Sequence, residues 1–422
     1  MKTRTFIIIT VLVVAALTVY NLRGNLSILS KLPDHRLHHI DAARKEAEHV
    51  PFHEREHRLE RRPRLERPAD HDEGGEPARD ARLKDSLKSK VSRAEHASGA
   101  PLEDKYHVVA SVDGGLYTEW QVRICYYHYK KMLRDFPDSA MGGFTRLLHS
   151  GEEDPLMEEI PTAVVDKLPL GLDQGFVVLN RPYGFLQWVR KFVPLIKERY
   201  ILMIEPDYIF VRPPPLWATQ TKSAAYHFTY MLPRENREII EPYNEKDVPF
   251  NTILPIGNAP TMMHKDLLAS IVEDWYDIAL RMKNDPKANK AFGWILEMFA
   301  FSIAASQAPD GPLDFDLHSE FIVQPPFDGT FTSREGKQSY IIHYTYGNDY
   351  DEAGKMMYGK GVSQYYHWDK RDYTYEYPPG NFPLPPPEVE DETVRTLMMC
   401  INEAISALKP WPLLPDQPLG QV

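Results

Sequence analysis

Tyr200-Ile201-Leu202-Met203-Ile204-Glu205-Pro206-Asp207 is an apolar run that ends on two acidic residues one position apart. Such a run predicts a strand buried on both faces, as in the middle of a parallel sheet. Side chains two apart on an extended chain point the same way, so Glu205 and Asp207 leave the strand with their carboxylates together. Adjacent carboxylates repel unless a cation lies between them, and Mn²⁺ or Mg²⁺ takes carboxylate and phosphate oxygens. The junction reads as a metal-diphosphate site; the competing reading is a solvated loop or a helix cap. Pro206 fixes its own φ and pushes Glu205 toward extended backbone. Tyr208 to Val211 predicts a second short strand, stopped by Arg212-Pro213-Pro214-Pro215.

Upstream, Tyr106 to Val112 predicts an opening strand with a turn at Asp113-Gly114-Gly115, and Thr118 to Phe136 is helical in pattern. Thr162 to Asp166 is a further strand, and a helix follows from Arg181 through Trp188 and Val193. Strands alternating with helices imply an α/β fold with a mostly parallel central sheet. Ligands of such sheets bind beyond the carboxyl ends of the strands, where the acidic pair and Asp113-Gly114 both fall.

Downstream, helices are expected from Lys265 to Met282 and from Asn289 to Ser306. The second carries Glu297 among apolar neighbours, so Glu297 either faces water or lines a pocket with a raised pKa, as a general base would. Tyr340 to Gly347 predicts a strand bearing His343, which is either a core histidine or the residue that completes a metal shell around the acidic pair.

The N-terminus places Lys2 and Arg4 before an uncharged, largely apolar run from Phe6 to Tyr20. We expect a cytosolic tail over 1–5, a type II signal anchor over 6–22, a luminal stem over 23–104 and one folded domain over 105–422. A cleaved signal peptide is the competitor, but no small-x-small cleavage site follows the run. The 23–104 stretch is dense in charge and nearly free of aromatics, so it cannot bury enough apolar surface to fold alone. Its sequon at Asn25 lies close to the expected membrane. A formal net charge of −11 argues against a nucleic-acid partner. The only cysteines, Cys125 and Cys400, could pair or remain two thiols.

Several blocks resemble the plant and green-algal hydroxyproline O-arabinosyltransferases, relatives of the peptidyl serine α-galactosyltransferases. They run in order: Met141-Gly142-Gly143-Phe144-Thr145-Arg146-Leu147-Leu148-His149-Ser150-Gly151, then Gly175 to Pro182, then Met203 to Phe210. Pro255-Ile256-Gly257-Asn258, Lys290 to Trp294 with Glu297-Met298, and His343 to Gly347 follow, so the resemblance spans Tyr106 to about Trp411.

The resemblance implies a GT-A-type glycosyltransferase with a single Rossmann-like domain. It implies a UDP-sugar donor, UDP-β-L-arabinofuranose, with Mn²⁺ (or Mg²⁺) held by Glu205, Asp207 and His343. It implies inverting transfer to the 4-hydroxyl of hydroxyproline in secreted or cell-wall glycoproteins such as extensins, in the Golgi. Glu297 stands where such enzymes place the base, with Asp274, Asp277 and Asp349 as rivals. Nucleotide contacts are expected from Ser111, Asp113, Gly114 and Tyr117, with Arg146 or Arg181 near phosphate or uracil. Lys355 and Lys360, in the 347–361 loop, are expected either to close over the diphosphate or to belong to a mobile surface loop.

The acceptor would be a polyproline II helix, gripped by one or two of Tyr226, Phe228, Tyr230, Tyr344, Tyr346, Tyr365, Tyr366 and Trp368. Pro378-Pro379 and Pro385-Pro386-Pro387 are expected to wrap the surface. The alternatives keep the fold with another donor or acceptor, such as galactose to serine or hydroxyproline, or make the protein a silent luminal binder.

Overall fold

The computed structural model describes residues 101–333 and 335–412. The expected cytosolic tail, anchor, sequon and nearly all of the stem lie outside the described residues. Among the described residues no helix is long and apolar enough to cross a membrane.

The strands run β1 (Tyr106–Val112), β2 (Met141–Leu148), β3 (Thr162–Val164), β4 (Tyr200–Ile204), β5 (Tyr208–Phe210), β6 (Lys222–Ala225), β7 (Thr261–His264), β8 (Asp314–Leu317), β9 (Ile322–Val323), β10 (Ile341–His343), β11 (Asn348–Tyr350) and β12 (Tyr366–Trp368). The helices are α1 (Leu116–Asp135), α2 (Asn180–Lys191), α3 (Arg237–Ile240), α4 (Lys265–Asn284), α5 (Pro286–Phe292), α6 (Leu296–Ser306) and α7 (Glu392–Ala407).

The large sheet has the order β3-β2-β1-β4-β7-β6-β8. It is mostly parallel, with β7 antiparallel to both of its neighbours. The order builds outward from β1 in one direction through β2 and β3, then returns to place β4 on the other side of β1. With right-handed crossovers, that reversal puts α1 and α2 on opposite faces and makes the β1–β4 boundary the switch point, where sheets of this kind bind their ligands. One core joins the sheet to α2, α4 and α6 around Trp188, Trp275 and Phe301. A second joins α1 and α7 to the small sheet β5-β10-β9 around Trp120, Tyr344 and Trp368.

Three elements differ from the sequence reading. The 141–148 segment is a full strand despite Gly142 and Gly143, which periodicity alone does not mark as one. A Cβ on Gly142 would lie 2.5 Å from Glu198 Oε1, and one on Gly143 2.8 Å from His107 Cε1, so glycine here serves close approach. The helix expected over 289–306 is broken into α5 and α6 by Gly293, whose φ of 48° only glycine adopts readily. The strand expected over 340–347 is ladder-paired only at 341–343. Cys125 and Cys400 are both free thiols. The proline-rich tail wraps the second core: the Trp411 indole N–H donates to the Pro378 carbonyl at 2.8 Å, and Arg395 donates to the Pro386 carbonyl.

Candidate active site

The site grows from the end of β4. Pro206 has no N–H to extend the ladder, so the chain leaves the large sheet there and re-enters pairing as β5 of the small one. β5 pairs antiparallel with β10, His343 opposite Tyr208, and the Tyr344 N–H donates to the Asp207 carbonyl at 3.3 Å. That register delivers an imidazole from 136 positions further along the chain to the acidic pair. His343 Nε2 lies 3.3 Å from Asp207 Oδ2 and 3.5 Å from Glu205 Oε2. One ligand atom each from Glu205, Asp207 and His343 fits within a span of 4.8 Å. Two carboxylate oxygens and one imidazole nitrogen, converging at this range, form a donor set suited to a divalent cation. These three residues can hold a metal ion, so the expected ligands come together.

Two of the three ligands pair with cations. Lys370, in the short 3-10 helix after β12, donates from Nζ to Asp207 Oδ2 at 2.5 Å, with the rings of Tyr117 and Tyr344 about its ammonium. Burial alone would raise the Asp207 pKa, but Lys370 and His343 outweigh it and hold the carboxyl well below its ordinary range. Arg181, in the first turn of α2, forks between two acids: Nη2 to Glu205 Oε1 and Nη1 to Glu297 Oε1, both at 2.6 Å. Glu205 therefore offers one oxygen to the guanidinium and the other to the cluster.

Glu297 opens α6 and is completely buried, its backbone carbonyl pinned by the Trp275 indole at 3.1 Å. Burial pushes its pKa up against the pull of Arg181, and Glu205 adds to the rise. Its second oxygen, Oε2, has no hydrogen-bond partner. Of its sequence-named rivals, Asp274 and Asp277 pair with Lys246 and Arg281 on the exposed side of α4, and Asp349 holds His367.

The expected nucleotide contacts divide. Ser111 is buried at the β1 exit with Oγ 3.1 Å from His149 Nε2, and burial pushes the His149 pKa down to about 4. Asp113 is exposed and accepts from the Gly115 N–H and the Thr118 hydroxyl at the start of α1. Gly114 has φ +81°, and a Cβ there would lie 2.9 Å from Leu148 Cδ1. Tyr117 reaches the cluster through Lys370. Arg146 is instead a buried bridge to Asp154 and Thr162, and Arg181 is the counter-ion of the acids rather than a free phosphate ligand. Lys360 is exposed in the turn after β11, and Lys355 in the same loop is also exposed.

Of the aromatics expected to grip the acceptor, Phe228, Tyr344, Tyr346, Tyr366 and Trp368 are core residues. Tyr226 and Tyr230 are half-buried and Tyr365 is at the surface, with the Tyr230 hydroxyl 4.0 Å from the sulfur of Met298, next to Glu297. Lys370 was not anticipated. In sequence it lies within Asp369-Lys370-Arg371-Asp372, which reads as a solvated turn. Its only local signal is the flanking pair Trp368 and Tyr373.

The class these features define is an α/β protein with a cation-ready acid-acid-imidazole cluster at the switch point of its sheet. Residues 106–311 match the family model for the hydroxyproline O-arabinosyltransferase family N-terminal domain, and residues 340–412 match the model for its C-terminal domain. Hydroxyproline O-arabinosyltransferase NOD3 of Pisum sativum is 48% identical over 303 residues, 72% of this chain and 86% of the relative. Hydroxyproline O-arabinosyltransferase 2 of Arabidopsis thaliana is 45% identical over 307 residues, 72% of this chain and 82% of the relative. The chain belongs to the hydroxyproline O-arabinosyltransferase family. A glycosyltransferase involved in glycosylation of the major capsid of PBCV-1 aligns over 57% of this chain and 93% of that one, at 11% identity and a TM-score of 0.32, a likeness that carries no weight here.

Proposed function

We propose that the protein is a metal-dependent glycosyltransferase of GT-A type that moves L-arabinofuranose from UDP-β-L-arabinofuranose to the 4-hydroxyl of hydroxyproline, with inversion. The observation that carries the reading is the convergence of Glu205, Asp207 and His343 within 4.8 Å, in a chain that belongs to this family. Those three residues would hold Mn²⁺ (or Mg²⁺), which when bound neutralises charge on a leaving diphosphate.

The chain's own residues supply the rest. Lys370 sets a positive charge beside Asp207 and keeps its carboxylate ionised, ready to hold a cation. Glu297, held through Oε1 by Arg181, accepts the hydroxyproline proton at its unpartnered Oε2. The hydroxyl oxygen then bonds to the anomeric carbon as the bond from that carbon to the diphosphate breaks. A carboxyl whose pKa is raised by burial suits that task. Ser111, Asp113, Gly114 and Tyr117, around the β1 exit, are the proposed nucleotide contacts, with Lys360 from the 347–361 loop.

We place the protein in Golgi membranes as a single-pass type II protein, its folded domain luminal. The support is the apolar 6–20 run behind Lys2 and Arg4. The acceptor is a hydroxyproline-rich chain in polyproline II form.

The test is to incubate the full purified chain with Mn²⁺, a hydroxyproline peptide and a panel of UDP-sugars. Transfer from UDP-arabinofuranose is expected; transfer from UDP-galactose alone, or donor binding without transfer, overturns the reading. Glu297→Gln should keep donor binding while turnover falls roughly 10²- to 10⁴-fold, the usual worth of a general base. Normal turnover by that variant assigns the base elsewhere.

A further inference from the structure

His343 has a second nitrogen, and what faces it bears on how the cluster takes a cation. β9 lies parallel to β10 with Val323 opposite Ile342, so the next residue, Gln324, comes beside His343. Gln324 is 2% exposed, and its amide Nε2 stands 3.3 Å from His343 Nδ1. Its backbone is fixed: the Gln324 N–H donates to Asp328 Oδ2 at 2.8 Å, and its carbonyl accepts from the Phe327 N–H at 3.0 Å. The amide is buried beside His343 on an anchored backbone, and a turn about its last bond exchanges its two ends.

With the amide oxygen toward Nδ1 the ring proton sits on Nδ1; with the amide N–H toward it, Nδ1 accepts and the ring proton sits on Nε2. In that tautomer Nε2–H points at Asp207 Oδ2 and Glu205 Oε2, 3.3 and 3.5 Å away, and supplies positive character between the two acids. A cation needs the opposite arrangement. Nε2 must be bare to ligate, so the proton must sit on Nδ1 and the partner of Nδ1 must accept. Glutamine is the side chain that serves both states from one position, because a half-turn exchanges its N–H for its carbonyl oxygen.

We infer that Gln324 is a positioning residue that sets the tautomer of His343, donating to Nδ1 in the cation-free site and accepting from it when a cation is bound. The inference rests on the metal reading above. It assigns Gln324 no contact with the donor or acceptor.

The experiment measures Mn²⁺ affinity of the full chain by calorimetry, with thermal melts as a check on folding. Gln324→Leu, which can neither donate nor accept, should weaken Mn²⁺ by about 10- to 100-fold, the range for partners of a metal-bound histidine. Gln324→Glu can only accept, so it should bind Mn²⁺ at least as well as the unaltered protein. Histidine ¹⁵N shifts give a readout independent of stability: the His343 proton should move from Nε2 to Nδ1 on adding diamagnetic Cd²⁺. Affinity unchanged in Gln324→Leu overturns the inference, as does loss of affinity in a folded Gln324→Glu. Absence of Mn²⁺ binding in the unaltered protein removes the metal reading itself, and this inference with it; Mn²⁺ binding with unaltered affinity in Gln324→Leu removes this inference alone.

Discussion

Among the described residues two clusters, each of two acids and one histidine, do opposite things. In Glu205, Asp207 and His343 the carboxylates lie on one side of the ring and face the same nitrogen. In Asp349, His367 and Asp372 the carboxylates sit at opposite ends of the ring, each 2.9 Å from its own nitrogen. The second set is closed: each ring nitrogen has its acid, and the result clamps β11 to β12 and to the turn that carries Lys370. The first set converges on a point, with its surplus negative charge balanced from outside by Arg181 and Lys370. Composition does not make a cation site; direction does.

The largest way to break this contrast is to remove the outer support of the converging cluster. Arg181→Met leaves Glu297 buried without its cation, and we expect a loss of about 3–5 kcal/mol in urea unfolding, the cost of stranding one partner of a buried pair. The double variant Arg181→Met/Glu297→Leu should recover most of it; equal instability of both would show that the guanidinium contributes through packing instead.

Next, Asp207→Asn should cost roughly 10²- to 10³-fold in transfer rate and abolish Mn²⁺ binding by calorimetry, since one ligand and its charge are lost together. Asp349→Asn, the matching change in the opposed cluster, should leave Mn²⁺ affinity within about twofold. Were both variants to lose Mn²⁺ equally, the distinction between the clusters would collapse.

A smaller effect sharpens the other side. Asp349 and Asp372, the acids facing His367, hold its pKa up to about 9, against burial. A group whose pKa rises on folding adds stability below its unfolded value near 6.5, and loses that contribution as pH climbs through about 9. The difference in unfolding free energy, from urea titration, between the unaltered protein and His367→Asn should therefore be full at pH 6, of order 1 kcal/mol for this partly exposed site, and shrink by pH 9.5. A gap that stays constant with pH would mean the ring acts by shape alone.

Smallest of all is the surface pair Arg190–Glu273, both more than half exposed. Arg190→Ala should change stability by less than about 1 kcal/mol, and less in high salt.

Much of this was legible in the chain because β1 and β4 announce themselves as apolar runs and the acids stand at a strand exit. The approach of His343 to those acids was inferred from a resemblance; what secures it physically is the β5–β10 register, which no local pattern encodes. Lys370 stayed hidden because pairing across 163 positions leaves no trace in periodicity, and its neighbours look like an ordinary charged turn. Arg181 was visible as a cation near the site, yet its two acids decide its role, and only their spacing reveals that. Gly142 and Gly143 disguised β2, since glycine lowers strand propensity whatever its neighbours demand. Gly293 likewise ended a helix that side-chain pattern alone would have continued.

The route of the chain through Pro206 has a consequence for how members of this family can be recombined. The acids belong to the first matched segment, and His343 and Lys370 to the second. A hybrid that took each half from a different relative would misalign both its chemistry and the second core, which the halves share, if the seam shifted the late strand by a single residue, because alternate side chains would then trade faces. The halves work only as a matched set, because β8, β9 and Gln324 lie in the 312–339 stretch between them.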